Sequence, residues 1–304
     1  MTDSTIAAAP PPAERDRGER DRRIERNRRR LEFILDSVFR PGDWAARLFH
    51  ALGLQGEIRP STTTLQIRGA HGTPSHRAPL RIAFASDFHA GSTTHSQLLT
   101  DSCDALAAFR PDVLLLGGDF VSVRASYIER LAPLLAAIDV PLGKFGVLGN
   151  HDLRADHRFV VAELERAGVR MLTNRHVTLP PPFDDITLCG LDDPTRGNPR
   201  ADRALDGVSG TRIVLMHSPE GLESIGDRRF DLALCGHTHG GQIASPWGRA
   251  MVVPGGYLNR VYASGWFEIG SHEPRMLLVS RGVGCSTIPI RVFAAPEVHL
   301  CLIS

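Results

Sequence analysis

The 304-residue chain lacks any run of about 18 or more consecutive apolar residues, the length at which a segment becomes a candidate transmembrane helix. It also lacks the apolar stretch of a secretory signal, because Glu32 and Asp36 interrupt the residues that follow the arginines at 28–30. Both absences predict a cytoplasmic protein.

Cysteine is scarce as well. The five cysteines are scattered, odd in number and never arranged as a Cys-x-x-Cys pair: Cys103, Cys189, Cys235, Cys285 and Cys301. This argues against a disulfide framework or a zinc knuckle as the basis of the fold. Reduced thiols in the core of a cytosolic protein are the expected state.

Neither sign of charge is in excess, since 35 Lys and Arg balance 34 Asp and Glu to a net charge of +1. Without a global positive field, nucleic acid is not predicted as a partner. Hydrophobic residues make up 42% of the chain, enough at this length to bury a large α/β core. Composition leaves the oligomeric state open.

Arginine is concentrated near the N-terminus, in the segments that precede the main domain. Residues 1–12 are small, polar and end in prolines, which predicts a disordered tail. Residues 13–55 are predicted to form an arginine-rich amphipathic helical extension of two helices. The first helix is predicted over 13–40 and carries an apolar stripe, made of Ile24, Leu31, Leu35 and Val38.

Pro41 and Gly42 separate the two predicted helices, and Asp43 is expected to cap the second. The second helix carries Trp44, Leu48, Phe49 and Leu52 on one face. Two interpretations of the extension remain open. Its apolar residues pack on the main domain or on another copy of the chain, or they enter lipid while the arginines meet anionic head groups. The second interpretation predicts a peripheral contact of residues 13–54 with the inner face of a membrane.

A strand and linker are predicted at 56–79, with the strand from Thr63 to Ile67, and the main domain follows at 80–304. In the first half of this domain a strand followed by a helix occurs three times, which is typical of a layered α/β domain. The predicted strands are Arg81–Ser86, Val113–Leu116 and Phe145–Leu148, and the predicted helices are Gln97–Phe109, Tyr127–Ile138 and Arg158–Ala167.

Beyond residue 170 short strands dominate, separated by turn residues. This change indicates a second sheet that faces the first, with helices outside both. The predicted strands are His176–Leu179, Ile186–Gly190, Ile213–Met216, Leu232–Cys235, Arg275–Ser280 and Val298–Ile303.

Five short polar motifs follow, or nearly follow, predicted strands. Ligands at the ends of neighbouring strands can converge on one point, so residues far apart in the sequence can share one site. The motifs are Asp87-Phe88-His89, Gly118-Asp119, Gly149-Asn150-His151-Asp152, Met216-His217 and Gly236-His237-Thr238-His239.

Each motif alone has an ordinary structural explanation, such as a turn, a helix cap or a core histidine. Asp87 and His89 are two residues apart, and in an extended segment they point the same way, toward one ion. A carboxylate such as Asp119 at the end of an apolar strand must be paired, capped or liganded. Asn150 after a glycine is typical of an Asx turn. The joint occurrence of five motifs at strand ends favours a shared metal site.

The chemistry of the donors indicates which metals would bind. Oxygens from aspartate and asparagine together with histidine nitrogens suit Mn, Fe, Co or Zn better than Ca or Mg. The set contains no cysteine, which argues against a structural zinc site. The donors are Asp87, His89, Asp119, Asn150, His217, His237 and His239.

Taken together, the motifs resemble those of the calcineurin-like metallophosphoesterase family over roughly residues 80–303. The resemblance implies an α/β fold with two facing mixed β-sheets flanked by helices, a four-layer sandwich. It also implies two divalent ions that share Asp119 as a bridging ligand. One would be held by Asp87, His89, Asp119 and His239, and the other by Asp119, Asn150, His217 and His237.

The resemblance further implies phosphoester hydrolysis, in which a hydroxide held by both ions attacks phosphorus in line. His151 would contact the scissile phosphate or protonate the leaving group. Asp152 is expected to orient His151. Protein serine/threonine phosphatases carry a GDxxDRG arrangement, and the segment from Gly118 to Arg124 lacks its second aspartate and adjoining arginine. Phosphoprotein hydrolysis is therefore not expected.

The chain is more similar to compact bacterial members related to a membrane-associated phosphohydrolase group. Their C-terminal stretch resembles residues 280–298, which places Arg291 or Arg281 near the substrate. The expected substrate is a phosphodiester or pyrophosphate of a nucleotide-linked or lipid-linked compound, and some similar proteins cleave UDP-2,3-diacylglucosamine in lipid A synthesis. A non-catalytic metal-binding module and a membrane-peripheral module are the alternatives from another class.

Overall fold

The computed structural model describes residues 26–27, 30–66, 78–270 and 275–304. The predicted tail at 1–12 and the first half of the predicted helix over 13–40 lie outside these residues, as do Ile24 and Ile67. Within the described residues, every helix is too short or too polar to traverse a bilayer.

Twelve strands are present in the described part of the chain. They are β1 (Arg59–Leu65), β2 (Leu80–Ala85), β3 (Val113–Leu116), β4 (Lys144–Gly146), β5 (Val169–Met171), β6 (Arg175–Thr178), β7 (Ile186–Gly190), β8 (Thr211–Leu215), β9 (Leu232–Cys235), β10 (Gly265–Ile269), β11 (Arg275–Val279) and β12 (Glu297–Ile303).

The helices alternate with the strands through most of the chain. They are α1 (residues 30–39), α2 (Trp44–Ala51), α3 (Ser96–Ala108), α4 (Ala132–Ala136), α5 (Asn150–Arg154), α6 (His157–Arg166), α7 (Ala201–Leu205), α8 (Gly221–Ile225) and α9 (Tyr257–Val261). Short 3-10 turns cover Pro41–Asp43, Ala125–Arg130 and His239–Gly241.

The strands form two mixed sheets of six strands each. The first has the order β1–β12–β2–β3–β4–β5, in which β2 to β5 are parallel and β12 is antiparallel to β2. The second has the order β10–β11–β9–β8–β7–β6, with antiparallel pairs at both edges. Because β1 pairs with β12, the strand that precedes residue 80 forms an edge of the first sheet.

The two sheets pack face to face around an apolar core. Alternate residues of β2 point to opposite faces, so Ile82 and Phe84 enter the core between the sheets while Ala83 and Ala85 face the helices. Leu215 and Leu234 meet the first sheet from the second. Helices α3, α4 and α6 cover the outer face of the first sheet, and α7 and α8 cover that of the second. The predicted α/β sandwich of two facing mixed sheets flanked by helices is confirmed.

The prediction of one continuous helix over Tyr127–Ile138 is wrong. The chain forms a 3-10 turn over Ala125–Arg130 and then the separate helix α4, in which Pro133 occupies the second position. Proline has no N–H to donate and is tolerated in the first turn of a helix, so a new helix starts there. The sequence interpretation also missed β5, β10 and the one-turn helices α5, α7, α8 and α9.

Helix α1 packs on the domain through its acidic residues and not through its apolar stripe. Glu32 and Asp36 are 6% and 2% exposed. Leu31 and Val38 of the predicted stripe are about half exposed, whereas Leu35 is half-buried. The interpretation in which this whole stripe packs on the main domain is therefore wrong.

Ion pairs and hydrogen bonds fix this orientation of α1. The Asp36 carboxylate accepts hydrogen bonds from the Arg124 guanidinium (2.7 Å), the Ser92 hydroxyl (2.8 Å) and the Tyr127 hydroxyl (2.8 Å). Glu32 pairs with Arg154 at 3.1 Å.

Asp43 stands at the N-cap position of α2, but its side chain makes no capping hydrogen bond. It accepts instead from the guanidinium of Arg130 at 2.8 Å. The cap prediction was therefore correct in position and wrong in the interaction.

Candidate dinuclear metal centre

All seven predicted donors lie beyond the carboxyl ends of parallel strands. Asp87 and His89 follow β2, Asp119 follows β3 and Asn150 follows β4 in the first sheet. In the second sheet, His217 follows β8, and His237 and His239 follow β9. All seven are buried, none more than 9% exposed.

The backbone at five of these donors has a left-handed conformation. Its φ angles are 53° at Asp87, 42° at His89, 52° at Asp119, 72° at His237 and 54° at His239. The prediction that Asp87 and His89 converge because their segment is extended was therefore wrong. Left-handed backbone costs of order 1–3 kcal/mol for a non-glycine residue and tends to occur at functional sites. Hydrogen bonds from the Asp87 and His89 amides to the carbonyls of Gly118 and Asp119 hold the first of these loops.

One cluster of donors surrounds His89. Its Nε2 lies 3.1 Å from His239 Nε2, 3.5 Å from Asp119 Oδ2 and 4.0 Å from Asp87 Oδ1. His239 Nε2 lies 3.5 Å from the same Asp87 oxygen. The four side chains thus present their donor atoms to one small volume.

A second cluster surrounds His217. Its Nε2 lies 3.1 Å from His237 Nδ1, 3.2 Å from Asn150 Oδ1 and 3.3 Å from Asp119 Oδ2. The other ring nitrogen of His217 donates to the carbonyl of Gly117 at 2.8 Å, which fixes the ring orientation. Asp119 Oδ2 faces both clusters.

These donors fit a pair of divalent ions. Potential ligand atoms of Asp87, His89 and His239 lie within 4.8 Å of one another, and so do those of Asp119, His217 and His237. Imidazole nitrogens and carboxylates in one buried site suit borderline transition metals. Buried carboxylates are costly unless a cation neutralises them, and two cations would offset this cost.

Burial and mutual contact set the protonation of the donors. Burial lowers the pKa of His89 to about 4 and that of His239 well below its usual value, so both nitrogens are neutral near pH 7. Burial raises the pKa of Asp87 to about 6. Burial also opposes charge on Asp119 and His217, but their attraction outweighs it, lowering the pKa of Asp119 and raising that of His217.

His151 lies beside both clusters. Its ring is 4.7 Å from that of His89, edge to face, and its backbone N–H donates to Asp119 Oδ1 at 2.8 Å. His151 Nδ1 donates to the carbonyl of Ser122 at 2.7 Å, which leaves Nε2 for other partners. Burial lowers the pKa of His151 well below its usual value.

Asp152 does not orient His151, contrary to the sequence prediction. Its two oxygens accept from the backbone amides of Val121 (3.1 Å) and Gly149 (3.0 Å). Asp152 thus joins the loop after β3 to the loop after β4. Burial, followed by the charge of Asp119, raises its pKa to about 8.

Arg291 is buried behind His239, and its predicted place near the substrate stays a prediction. It is 5% exposed, and its guanidinium donates to the carbonyls of Gly284 and Ala294. One of its nitrogens lies 3.3 Å from His239 Nδ1. Arg281, the alternative, pairs with Glu297.

Two glycines let the loops approach this closely. A Cβ atom at Gly149 would overlap Asp119 Oδ1, and one at Gly236 would overlap Asp87 Oδ2. Both glycines belong to predicted motifs.

Several contacts in the site were not foreseen from the sequence. Ser86 Oγ donates to Asp87 Oδ2 at 2.7 Å, and the His237 amide donates to both oxygens of Asp87. The carbonyls of Gly117 and Ser122 orient two histidines. Every residue has a backbone carbonyl, so the sequence does not show which carbonyls orient the histidines. Of these contacts, only that of Ser86 could have been predicted, because Ser86 is adjacent to Asp87.

A cavity of about 430 Å³ opens beside the clusters. Asn150, His151 and His237 are among its polar lining residues, and Val252 and Ile288 belong to its apolar wall. The cavity therefore brings side chains of the donor clusters and apolar side chains into one space.

Comparisons with known proteins agree with this geometry. The family model for calcineurin-like phosphoesterases matches residues 80–241, just over half of the chain. Phosphodiesterase YaeI of Escherichia coli (strain K12) is 30% identical over 73% of this chain and 82% of its own length. The uncharacterized metallophosphoesterase YkuE of Bacillus subtilis (strain 168) is 32% identical over 62% of this chain and 66% of its own length.

A third relative acts on a named substrate. UDP-2,3-diacylglucosamine pyrophosphatase LpxG of Chlamydia trachomatis is 27% identical over 74% of this chain and 84% of its own length. From the family match, the identity to YaeI and the convergence of the seven donors, the chain belongs to the calcineurin-like phosphoesterase family and is a metallophosphoesterase.

Proposed function

We propose that the protein hydrolyses a phosphodiester or pyrophosphate at a dinuclear divalent-metal centre. The observation that carries the proposal is the pair of donor clusters that share Asp119 Oδ2, 3.5 Å from His89 Nε2 and 3.3 Å from His217 Nε2. A shared carboxylate oxygen is what a site for two closely spaced cations requires.

Four side chains hold each ion in this proposal. Asp87, His89, Asp119 and His239 hold one, and Asp119, Asn150, His217 and His237 hold the other. Bound Mn, Fe, Zn or Co would supply positive charge to phosphoryl oxygens and lower the pKa of water in the site. The neutral state of His89 and His239 near pH 7 supports ligation, since a metal needs an unprotonated nitrogen.

In this proposal His151 protonates the oxygen that leaves the phosphorus. Its Nδ1–H is committed to the Ser122 carbonyl, so Nε2 faces the reacting group. An anionic phosphoester beside the ring favours its protonated form, and Nε2–H then donates to the departing oxygen. Asp152 contributes indirectly, by holding the two loops that carry Asp119 and His151.

The cavity favours a substrate larger than inorganic phosphate or a simple monoester. Its volume of about 430 Å³ suits a group of drug-like size beside the phosphate. The apolar wall at Val252 and Ile288 suits an apolar part of the substrate. A lipid-linked pyrophosphate such as UDP-2,3-diacylglucosamine meets both conditions, and the similarity to LpxG supports this candidate. A nucleotide-linked diester meets the condition of size but has no apolar part for the wall.

The test is a substrate panel with metal-reconstituted protein. Bis-p-nitrophenyl phosphate, p-nitrophenyl phosphate, a nucleotide diphosphate sugar and UDP-2,3-diacylglucosamine would each be assayed with Mn²⁺, with and without a chelator. We expect chelator-sensitive turnover of the diester or of an anhydride, exceeding that of the monoester. A protein that binds two metal ions but turns over none of the panel would favour the non-catalytic alternative.

A further inference from the structure

The N-terminal helices present an apolar face to solvent. We define this outer face as seven residues of α1, α2 and the C-cap position of α2 that are 46% to 61% exposed: Leu31, Phe33, Ile34, Val38, Trp44, Leu48 and Leu52. The Trp44 indole donates to the Val38 carbonyl at 2.9 Å, which holds the two helices together. Isolated exposed apolar residues are common, but several on two adjoining helices are typical of an interaction surface.

The exposed charges of the described residues 26–54 have one sign. Among the described residues from 26 to 54, each charged side chain that is largely exposed is an arginine: Arg26, Arg30, Arg40 and Arg47. The acids of the same segment are withdrawn from solvent. Glu32 and Asp36 are buried in ion pairs with the domain, and Asp43 is half-buried against Arg130. The fold thus turns a sequence of mixed charge into an apolar and basic surface.

Helix α1, which carries part of the outer face, lies beside the active-site cavity through its domain-facing side. Glu32 on α1 contacts Thr287, which lines the cavity together with Ile288. The loop at 247–252 also reaches the cavity, through Val252. Three of its residues are exposed by 67% to 90%, and an exposed arginine lies among them: Trp247, Arg249, Met251 and Val252.

Charge decides which partner suits this surface. In a symmetric dimer the same patch meets itself, so the arginines of two copies would oppose one another, with no largely exposed acid among the described residues 26–54 to pair them. An anionic bilayer supplies negative head groups for the arginines and hydrocarbon for the apolar side chains. The described helices are too short or too polar to cross a bilayer, so the contact would be superficial.

We infer that the outer face and the loop at 247–252 seat the protein on an anionic lipid bilayer, with the cavity mouth at the membrane surface. This deepens the proposed function and rests on it, because the cavity is taken as the hydrolytic site. The seating gives a lipid-linked phosphoester a path from the bilayer to the apolar wall of the cavity.

The experiment is flotation of the full-length, metal-loaded protein with two kinds of vesicle, phosphatidylcholine alone and phosphatidylcholine with 30% phosphatidylglycerol (about a third anionic, enough for an appreciable surface potential). We expect flotation with the anionic vesicles, little with the neutral ones, and loss of binding at about 0.5 M salt. Each arginine near a membrane surface strengthens binding about fivefold. Arg30→Gln combined with Arg47→Gln should therefore weaken binding more than tenfold.

The apolar contribution is tested with Ile34→Glu combined with Leu48→Glu, which should abolish flotation. The matched control is Ala107→Glu combined with Ala136→Glu, which places two glutamates on exposed positions of α3 and α4. The control should float like the wild type. All four proteins should hydrolyse a soluble chromogenic diester equally, because no changed residue lies in the cavity.

Two results would overturn the inference. One is equal flotation of the wild type and the Ile34→Glu, Leu48→Glu variant. The other is a wild-type protein that fails to float and is dimeric by light scattering while this variant is monomeric, which would assign the face to a second copy. Flotation does not depend on turnover, so failure of the proposed function would appear separately, as an inactive protein that still floats.

Discussion

The Nε2 atoms of His89 and His239 lie 3.1 Å apart, although 150 residues separate the two histidines in the chain. Both nitrogens also lie within 4.0 Å of Asp87 Oδ1. Because burial keeps both rings neutral near pH 7, two nitrogen donors and a carboxylate converge where a cation would stabilise them. In the second cluster, His217 Nε2 and His237 Nδ1 are also 3.1 Å apart.

Metal binding should therefore stabilise the fold. At a free Mn²⁺ concentration of about 100 times the dissociation constant, one site raises the free energy of unfolding by about 2.7 kcal/mol. We expect metal-stripped protein to melt several degrees higher with Mn²⁺, as measured by calorimetry. If no divalent transition metal shifts the unfolding temperature, the donor clusters do not form a metal site.

Asp119→Asn should remove most of that shift. The change takes a negative charge from Asp119, whose Oδ2 faces both clusters, so metal content measured by elemental analysis should fall below one ion per chain. Turnover should fall by about a hundredfold to a thousandfold, the order expected when one electrostatic group of an active site is lost. Asp206→Asn, an exposed residue, is the control and should keep two ions and full activity.

His151→Ala should separate chemistry from metal binding. Loss of a general acid lowers kcat by about 10²–10⁴-fold. The variant should retain two ions, since His151 is not one of the proposed ligands. A His151→Ala protein without metal would contradict the proposed division of roles.

Asp152→Asn should instead lower the free energy of unfolding, by about 1–3 kcal/mol, because an amide can accept only one of the two backbone hydrogen bonds.

The sequence was informative where local pattern and chemistry coincide. The run Val113–Leu116 is wholly apolar and fully buried, so the strand was predictable and Asp119 could be placed just beyond its end. The same reasoning located Asn150, His217 and His237. A buried strand and the polar residue that follows it are both local features, and local features are what a single sequence records.

Features that depend on distant contacts were not predictable. Glu32 and Asp36 are four residues apart in an arginine-rich segment, a pattern typical of a solvated helix face. Their partners Arg154 and Arg124 lie 122 and 88 residues away in the chain, so only the fold shows that this face is buried. The burial of Arg291 behind His239 is likewise a tertiary property, which the sequence around Arg291 does not reveal.

Glu297 should make the free energy of unfolding fall as the pH is lowered through the acid range. Burial opposes its charge, but His299 and Arg281 outweigh that effect and lower its pKa from 4.5 to about 2. A carboxylate whose pKa is depressed on folding stabilises the protein above its unfolded pKa. That contribution of about 3 kcal/mol is lost as the pH falls from about 5 to 2.

The check on Glu297 is urea unfolding between pH 5 and pH 2. The wild type should lose more stability over this interval than Glu297→Gln, which cannot titrate there. Parallel curves for the two proteins would mean that the contacts with Arg281 and His299 do not favour the ionised form.

Asp36 should hold α1 on the domain, because its carboxylate accepts three hydrogen bonds while only 2% exposed. Asp36→Asn should lower the free energy of unfolding by about 1–3 kcal/mol, since it weakens bonds to a buried charged acceptor. It should also speed amide hydrogen exchange over residues 30–39. Asp43→Asn is the matched control, as Asp43 pairs with Arg130 at a more exposed position and should change stability by less than about 1 kcal/mol. Equal effects of the two substitutions on exchange would show that general loss of negative charge, and not the buried contact, governs the attachment of the helix.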